Sequence, residues 1–188
     1  MKPDLASHPY FLIRQLIDTV RSVDSFEFSY YHYRPQSVID ERRVFSIVAR
    51  TLNEELVFDL MKQTPHDMEL ALHSRVQVAG KIWHLPMIDM STSARAHLEK
   101  LRATLSARIF ESLVWFKSGR SFHGYSLVLL SEREWIQFMG GLLLCNLPKM
   151  HPTVDPRWIG HRLVAGYSAL RWTRNTTQYL QFPTRVKE

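Results

Sequence analysis

The stretch Phe116-Lys117-Ser118-Gly119-Arg120-Ser121-Phe122-His123-Gly124 decides how this chain of 188 residues is read. A strand rich in aliphatic and aromatic residues, Ser112 to Lys117, runs into a tight Ser118-Gly119-Arg120 turn. A second apolar strand leaves from Phe122 and carries His123 close to the turn. The turn brings backbone N–H groups, a hydroxyl, a guanidinium and an imidazole together, which is donor chemistry suited to a phosphate group.

Upstream, Arg75 to Ala79, a turn at Gly80 and Lys81 to Asp89 read as a hairpin. Its second strand ends at Asp89. Ser91 and Thr92 then offer N-caps to a helix whose apolar stripe is Ala94, Leu98, Leu101 and Leu105. An aspartate at a strand end before a crossover helix stands where α/β folds put ligand-binding groups. By period-two alternation along that strand, His84 faces away from Asp89.

Nearer the start, Leu5 to Val23 shows helical spacing around an early Pro9, Ser25 to Tyr33 alternates as a strand, and Val44 to Ala49 follows as its partner. The aromatic residues of 25–33 suit either base stacking or a half-buried sheet face. Asn53 caps a helix from Glu54 to about Lys62, and a short helix is expected from His66 through Leu72. Downstream, Ser131 and Glu134 form a capping box ahead of Trp135, Phe138, Met139, Leu142 and Leu143. Asp155 before Pro156 suits a helix N-cap. Strands are expected over Tyr167 to Thr173 and Thr177 to Phe182.

The composition is 45% hydrophobic, with ten Phe, seven Tyr and five Trp, which is enough to bury a core and predicts one compact unit over 1–188. The apolar runs fall short of the ~20 residues a membrane helix needs, and the N-terminus lacks a signal-peptide core. Lone Cys145 excludes a disulfide framework and a cysteine-rich zinc site. A cytoplasmic location is therefore expected. The net charge of +6 favours an anionic partner, nucleic acid above all. His151 and His161 have no spacing that suggests a metal site.

Asp89, the Ser118 to His123 turn and Asp155 thus line up in order. Two carboxylates beside a phosphate-type loop suit a hard cation, Mg2+ or Mn2+, bridging to a triphosphate. The string SGRSFH after an apolar strand resembles the second motif of the archaeo-eukaryotic primase superfamily. MID at 87–89 and VD at 154–155 stand where its first and third motifs fall, and KIWHLPMIDM with GYSALRWTRNT is similar to the primase 1D-like branch. The resemblance spans about Arg75 to Thr176.

It implies an α+β fold with an RRM-like primase core over 73–182 and a small N-terminal α/β portion over 1–72. It implies divalent metal on Asp89 and Asp155, which with His123 make the catalytic set. It also implies triphosphate contacts from Ser118, Gly119, Arg120 and His123, with Arg171 or Arg174 supporting the phosphates. The implied activity is nucleotidyl transfer by a DNA-directed primase or polymerase on single-stranded DNA or RNA, beside a helicase, nuclease or other replication or defence protein.

The chain departs from the family pattern in one place. Active members carry two acids one position apart in the first motif, whereas Asp89 is flanked two residues away by Met87 and Ser91. Either another acid substitutes, or the protein binds nucleotides or nucleic acid without efficient polymerisation.

Overall fold

The chain builds two antiparallel sheets that part company at Pro86. A computed structural model describes residues 2–187. It begins with helix α1 (Tyr10–Thr19), strands β1 (Val23–Tyr31) and β2 (Arg42–Val48), and helix α2 (Glu54–Gln63). Pro9 stands at the N-cap of α1, so this helix is shorter than the spacing from Leu5 suggested. Asn53 caps α2 by accepting from the Leu56 N–H.

Strands β3 (Glu69–Val78), β4 (Lys81–His84) and β5 (Met87–Asp89) follow. The helix expected from 66 to 72 is a turn at 66–67 followed by the start of β3 from Glu69. Helix-forming residues such as Glu69, Leu70 and Leu72 are overruled there by position, because β3 is a central strand whose residues 69–74 are all buried. The expected single strand 81–89 is two strands. Proline has no N–H for the ladder, and at Leu85-Pro86 the chain leaves one sheet for the other. His84 and Asp89 therefore lie in different sheets, not on opposite faces of one strand.

In place of the helix expected after Ser91 and Thr92, a 3-10 segment over Arg95–Ala103 leads to a short helix α3 (Ala107–Glu111). Thr92 only closes a local turn on the Ala94 N–H. The chain continues through β6 (Val114–Lys117), β7 (Phe122–Tyr125), α4 (Glu132–Leu144) and α5 (Pro156–Ala165), and ends with β8 (Ala169–Arg171) and β9 (Thr184–Arg185). The capping box at Ser131 is fully formed. Residues 177–182 make no strand. β9, further on, is the segment that pairs with β6.

The first sheet has the order β2-β1-β3-β4, and β8 lies beside β3 at the other end of the edge that β4 occupies. Phe26, Phe28, Leu70, Leu72 and Leu170 face the main core with Leu12, Leu16, Val57 and Leu60 from the helices. Alternate residues face the other way, and many are polar: Ser29, Glu69, His73 and Arg171.

The second sheet has the order β5-β7-β6-β9, and an antiparallel bridge joins Met90 to Val154 beside β5. From β5 to Val154 the chain therefore runs strand, helical segment, two strands, helix, strand-like bridge. This is a β-α-β-β-α-β order within an α+β protein. Ile88, Phe122, Trp135, Met139 and Ile159 form the core on one side of this sheet. Met87, Phe116 and Tyr125 turn toward the main core on the other. Gly124 permits the indole of Trp115 to cross the strand pair, since a Cβ there would lie 2.7 Å from the ring. Among the described residues no helix is long and apolar enough to cross a membrane.

Candidate active site

Asp89 and His123 are register partners across β5 and β7. By alternation both share the face of Met87, Tyr125 and Phe116, so they sit where that apolar face opens into a cleft. The cleft has a volume of about 1160 Å3 and lies between the polar face of the first sheet, β5, β7 and α5. Seven arginine or lysine side chains and three aspartates line it, which makes it a basic cavity.

Asp155 is brought to Asp89 through the backbone, its N–H donating to the Asp89 carbonyl at 2.9 Å. One oxygen of its carboxylate accepts from the N–H groups of Arg157 and Trp158 and so caps α5. Burial first, and then the neighbouring Asp155 charge, push the Asp89 carboxyl up to about 7, with Arg171 acting in the opposite direction. His123 is pulled well below its ordinary value by burial and then by Arg171. It is therefore neutral at pH 7. Its Nε2 lies 3.7 Å from Asp89 Oδ1, too far for a hydrogen bond, and its Nδ1 is buried without a partner.

The turn after β6 is closed by the Ser118 N–H donating to the Ser121 carbonyl at 2.9 Å. Gly119 supplies the positive φ, 87°, needed at the first central position of such a two-residue turn. Arg120 is exposed at the tip of the turn, on the cleft rim. Arg171, on β8 in the other sheet, reaches across and donates through Nη2 to Ser118 Oγ at 2.7 Å. Its Nη1 is spent on the Thr173 and Gln181 carbonyls, and its guanidinium stacks 3.9 Å from the ring of Tyr179. Arg171 thus acts as a cationic brace for the turn, leaving the buried Nε as its unpartnered group.

Asp89, Ser118, Gly119, Arg120, His123, Asp155 and Arg171 all line one cleft. Arg174 does not: it donates to the Leu180 carbonyl and borders a separate small groove with Lys2 and Phe182. The sequence reading missed Arg42 and Arg162 on the far wall, both ion-paired with Asp40. A signal for Arg162 existed, because it falls three residues after Ile159 on the buried stripe of α5.

Among the described residues, no set of three or more His, Cys, Asp or Glu side chains is arranged to hold a metal ion. Among the described residues no third acid joins Asp89 and Asp155 in such a set, and Met87, two residues before Asp89, is sealed in the core at 0% exposure. Two adjacent carboxylates whose charges oppose one another still fit a single hard cation of the Mg2+ type, which is commonly held by one or two carboxylates and completed by phosphate oxygens and water.

The model of a protein family described as AEP-like, archaeo-eukaryotic primase 1D-like, matches residues 48–184. The chain belongs to that family. The match takes in every element that lines the cleft except β1, the β1–β2 connection and β2, of which only Val48 falls inside it. The primase-like segment thus includes Asp89, the Ser118 turn, Asp155 and Arg171. No curated protein and no solved structure matches the chain.

Proposed function

We propose that this primase-family chain binds a nucleoside triphosphate, with a divalent cation, in the basic cleft, and that the bound nucleotide serves nucleotidyl transfer on nucleic acid. The observation that carries the reading is the convergence of Asp89, His123, Asp155 and the Ser118 turn on one basic cavity. Asp89 and Asp155 would hold the cation, which when bound would neutralise charge on the triphosphate. Backbone N–H groups of the turn and the Arg120 guanidinium are the donors offered to phosphate oxygens. Neutral His123 donates a hydrogen bond without adding charge beside Asp89. In the transfer, a strand's 3′-hydroxyl releases its proton to solvent as its oxygen bonds to the α-phosphorus, the bond from that phosphorus to the bridging oxygen breaks, and pyrophosphate leaves.

A second reading, a binding subunit with little transfer activity, is favoured by the pair of carboxylates standing where three are usual and by the burial of Met87. One experiment separates the two. Titration of a fluorescent nucleoside triphosphate with Mn2+ or Mg2+ is expected to show binding that His123→Ala and Asp89→Ala each weaken at least tenfold. Primer extension on a single-stranded template reports transfer. Binding without extension selects the second reading, and the absence of any cation-dependent binding removes both.

A further inference from the structure

Ten residues, 32–41, join β1 to β2, where antiparallel neighbours need two to five. The excess is folded over the far wall of the cleft and strapped there. Arg157 and His161 of α5 bond to the Ser37 carbonyl at 2.8 and 3.1 Å. Asp40 places its carboxylate between Arg42, at 2.9 Å, and Arg162.

That pairing leaves charge over. Two guanidiniums share one carboxylate, although the side chains of Arg42 and Arg162 are only 8% and 2% exposed. Arg162 also keeps its Nε and Nη1 buried without a partner. A buried, uncompensated cation beside a cavity is costly unless an anion completes it, and a forked guanidinium pair matches phosphate oxygens. Along the cleft lining the ring of Tyr33 is exposed, 5.6 Å from the Tyr179 ring and tilted by 59° to it, and is a face on which an unpaired base can stack. The cavity volume also exceeds the roughly 300 to 1,000 Å3 of a single small-molecule site.

We infer that the Arg42–Arg162 pair is a backbone-phosphate subsite for a single nucleic-acid strand, held shut in the free protein by the chain's own Asp40. The inference rests on the nucleic-acid reading above but uses none of the residues assigned to the nucleotide. Asp40 stands in for the phosphate and leaves, with its loop, when a strand enters.

The test is equilibrium binding of a fluorescent oligothymidylate to the full chain across a salt series, beside titration with a labelled nucleoside triphosphate. Asp40→Asn is expected to tighten the oligonucleotide about tenfold and to steepen the salt dependence by ~0.7 per phosphate gained, leaving the triphosphate unchanged. Arg42→Gln is expected to weaken the oligonucleotide and to abolish that gain in the double variant. Should Asp40→Asn fail to fold, His161→Ala, which removes only a bond to the Ser37 carbonyl, carries the same direction of change. Oligonucleotide affinity and slope that ignore these substitutions overturn the subsite, and triphosphate binding that persists alongside leaves the nucleotide reading standing. A gain for the triphosphate alone also overturns the subsite, by assigning the pair to the incoming nucleotide. Triphosphate binding that is absent while the oligonucleotide still answers to Asp40→Asn supports the subsite and sinks the nucleotide reading instead.

Discussion

Asp89 sits in a place that resists its charge. The folded carboxyl keeps its proton to about pH 7 against an ordinary value of 3.8. Between those values the folded chain binds more protons than the unfolded one, so stability falls as pH rises, and the full cost stands above pH 7. In full, the displacement corresponds to ~4 kcal/mol. With 26% of the side chain exposed, roughly half of that is expected to remain. Asp89→Asn, melted in chelator, should therefore gain roughly 2 kcal/mol over the unsubstituted chain at pH 8 and nothing at pH 4. A difference that does not vary with pH would show that burial is not what holds the proton. Asp89, Ser118 and His123 were legible in the sequence because short strands and a glycine turn fix them locally. Arg42 was not, and Arg162 showed only as a position on the stripe of α5, since their pairing with Asp40 depends on a loop and a helix some 120 residues apart.

At the scale of elements, Asp155 caps α5 and is proposed to hold the cation, two roles that substitution can separate. Asparagine caps a helix as well as aspartate does, while alanine forfeits about 1 kcal/mol. Asp155→Asn should thus melt close to the unsubstituted chain and Asp155→Ala should melt lower, by calorimetry, whereas both should lose cation-dependent nucleotide binding. A fully retained cation dependence in Asp155→Asn would take that carboxylate out of the site. Caps, turns and hairpins of this kind carry their signals within a few residues, which is why Asn53, Ser131 and Gly119 were readable. β3 was not, because its strand state comes from neighbours on both edges that the local sequence does not display. Lys81 to Asp89 read as one strand across Pro86, and only the three-dimensional arrangement shows that the chain changes sheets there.

Across the whole molecule, stability should fall in acid through histidines buried as neutral rings. His8 Nδ1 accepts the Tyr10 N–H at 3.2 Å, and Nε2 donates to the Trp172 carbonyl at 2.9 Å, so a second proton has nowhere to go. Burial above all holds His8 down to about 4, and His84 likewise. From pH 6.5 down to 4 the unfolded chain takes up protons that the folded one refuses. Stability is present above that window and lost within it, by up to ~3 kcal/mol for His8. Urea midpoints at pH 7 and 4.5 check this. His8→Gln should be weaker at pH 7 yet fall less on acidification, and an equal fall in both proteins would exonerate His8.

The edge of β3 shared by β4 and β8 also sets an order in time. β4 arrives through a tight turn, whereas β8 comes about a hundred residues later, pairing Arg171 with Ala71. Contacts so distant along the chain close slowly. Trp172, fully buried against His8 and Phe28, reports that closure. Stopped-flow refolding should regain backbone circular dichroism before the indole signal, and the late phase should vanish in Trp172→Phe. A chain still emerging from synthesis thus carries Asp89 and the Ser118 turn well before the guanidinium that steadies that turn arrives on β8.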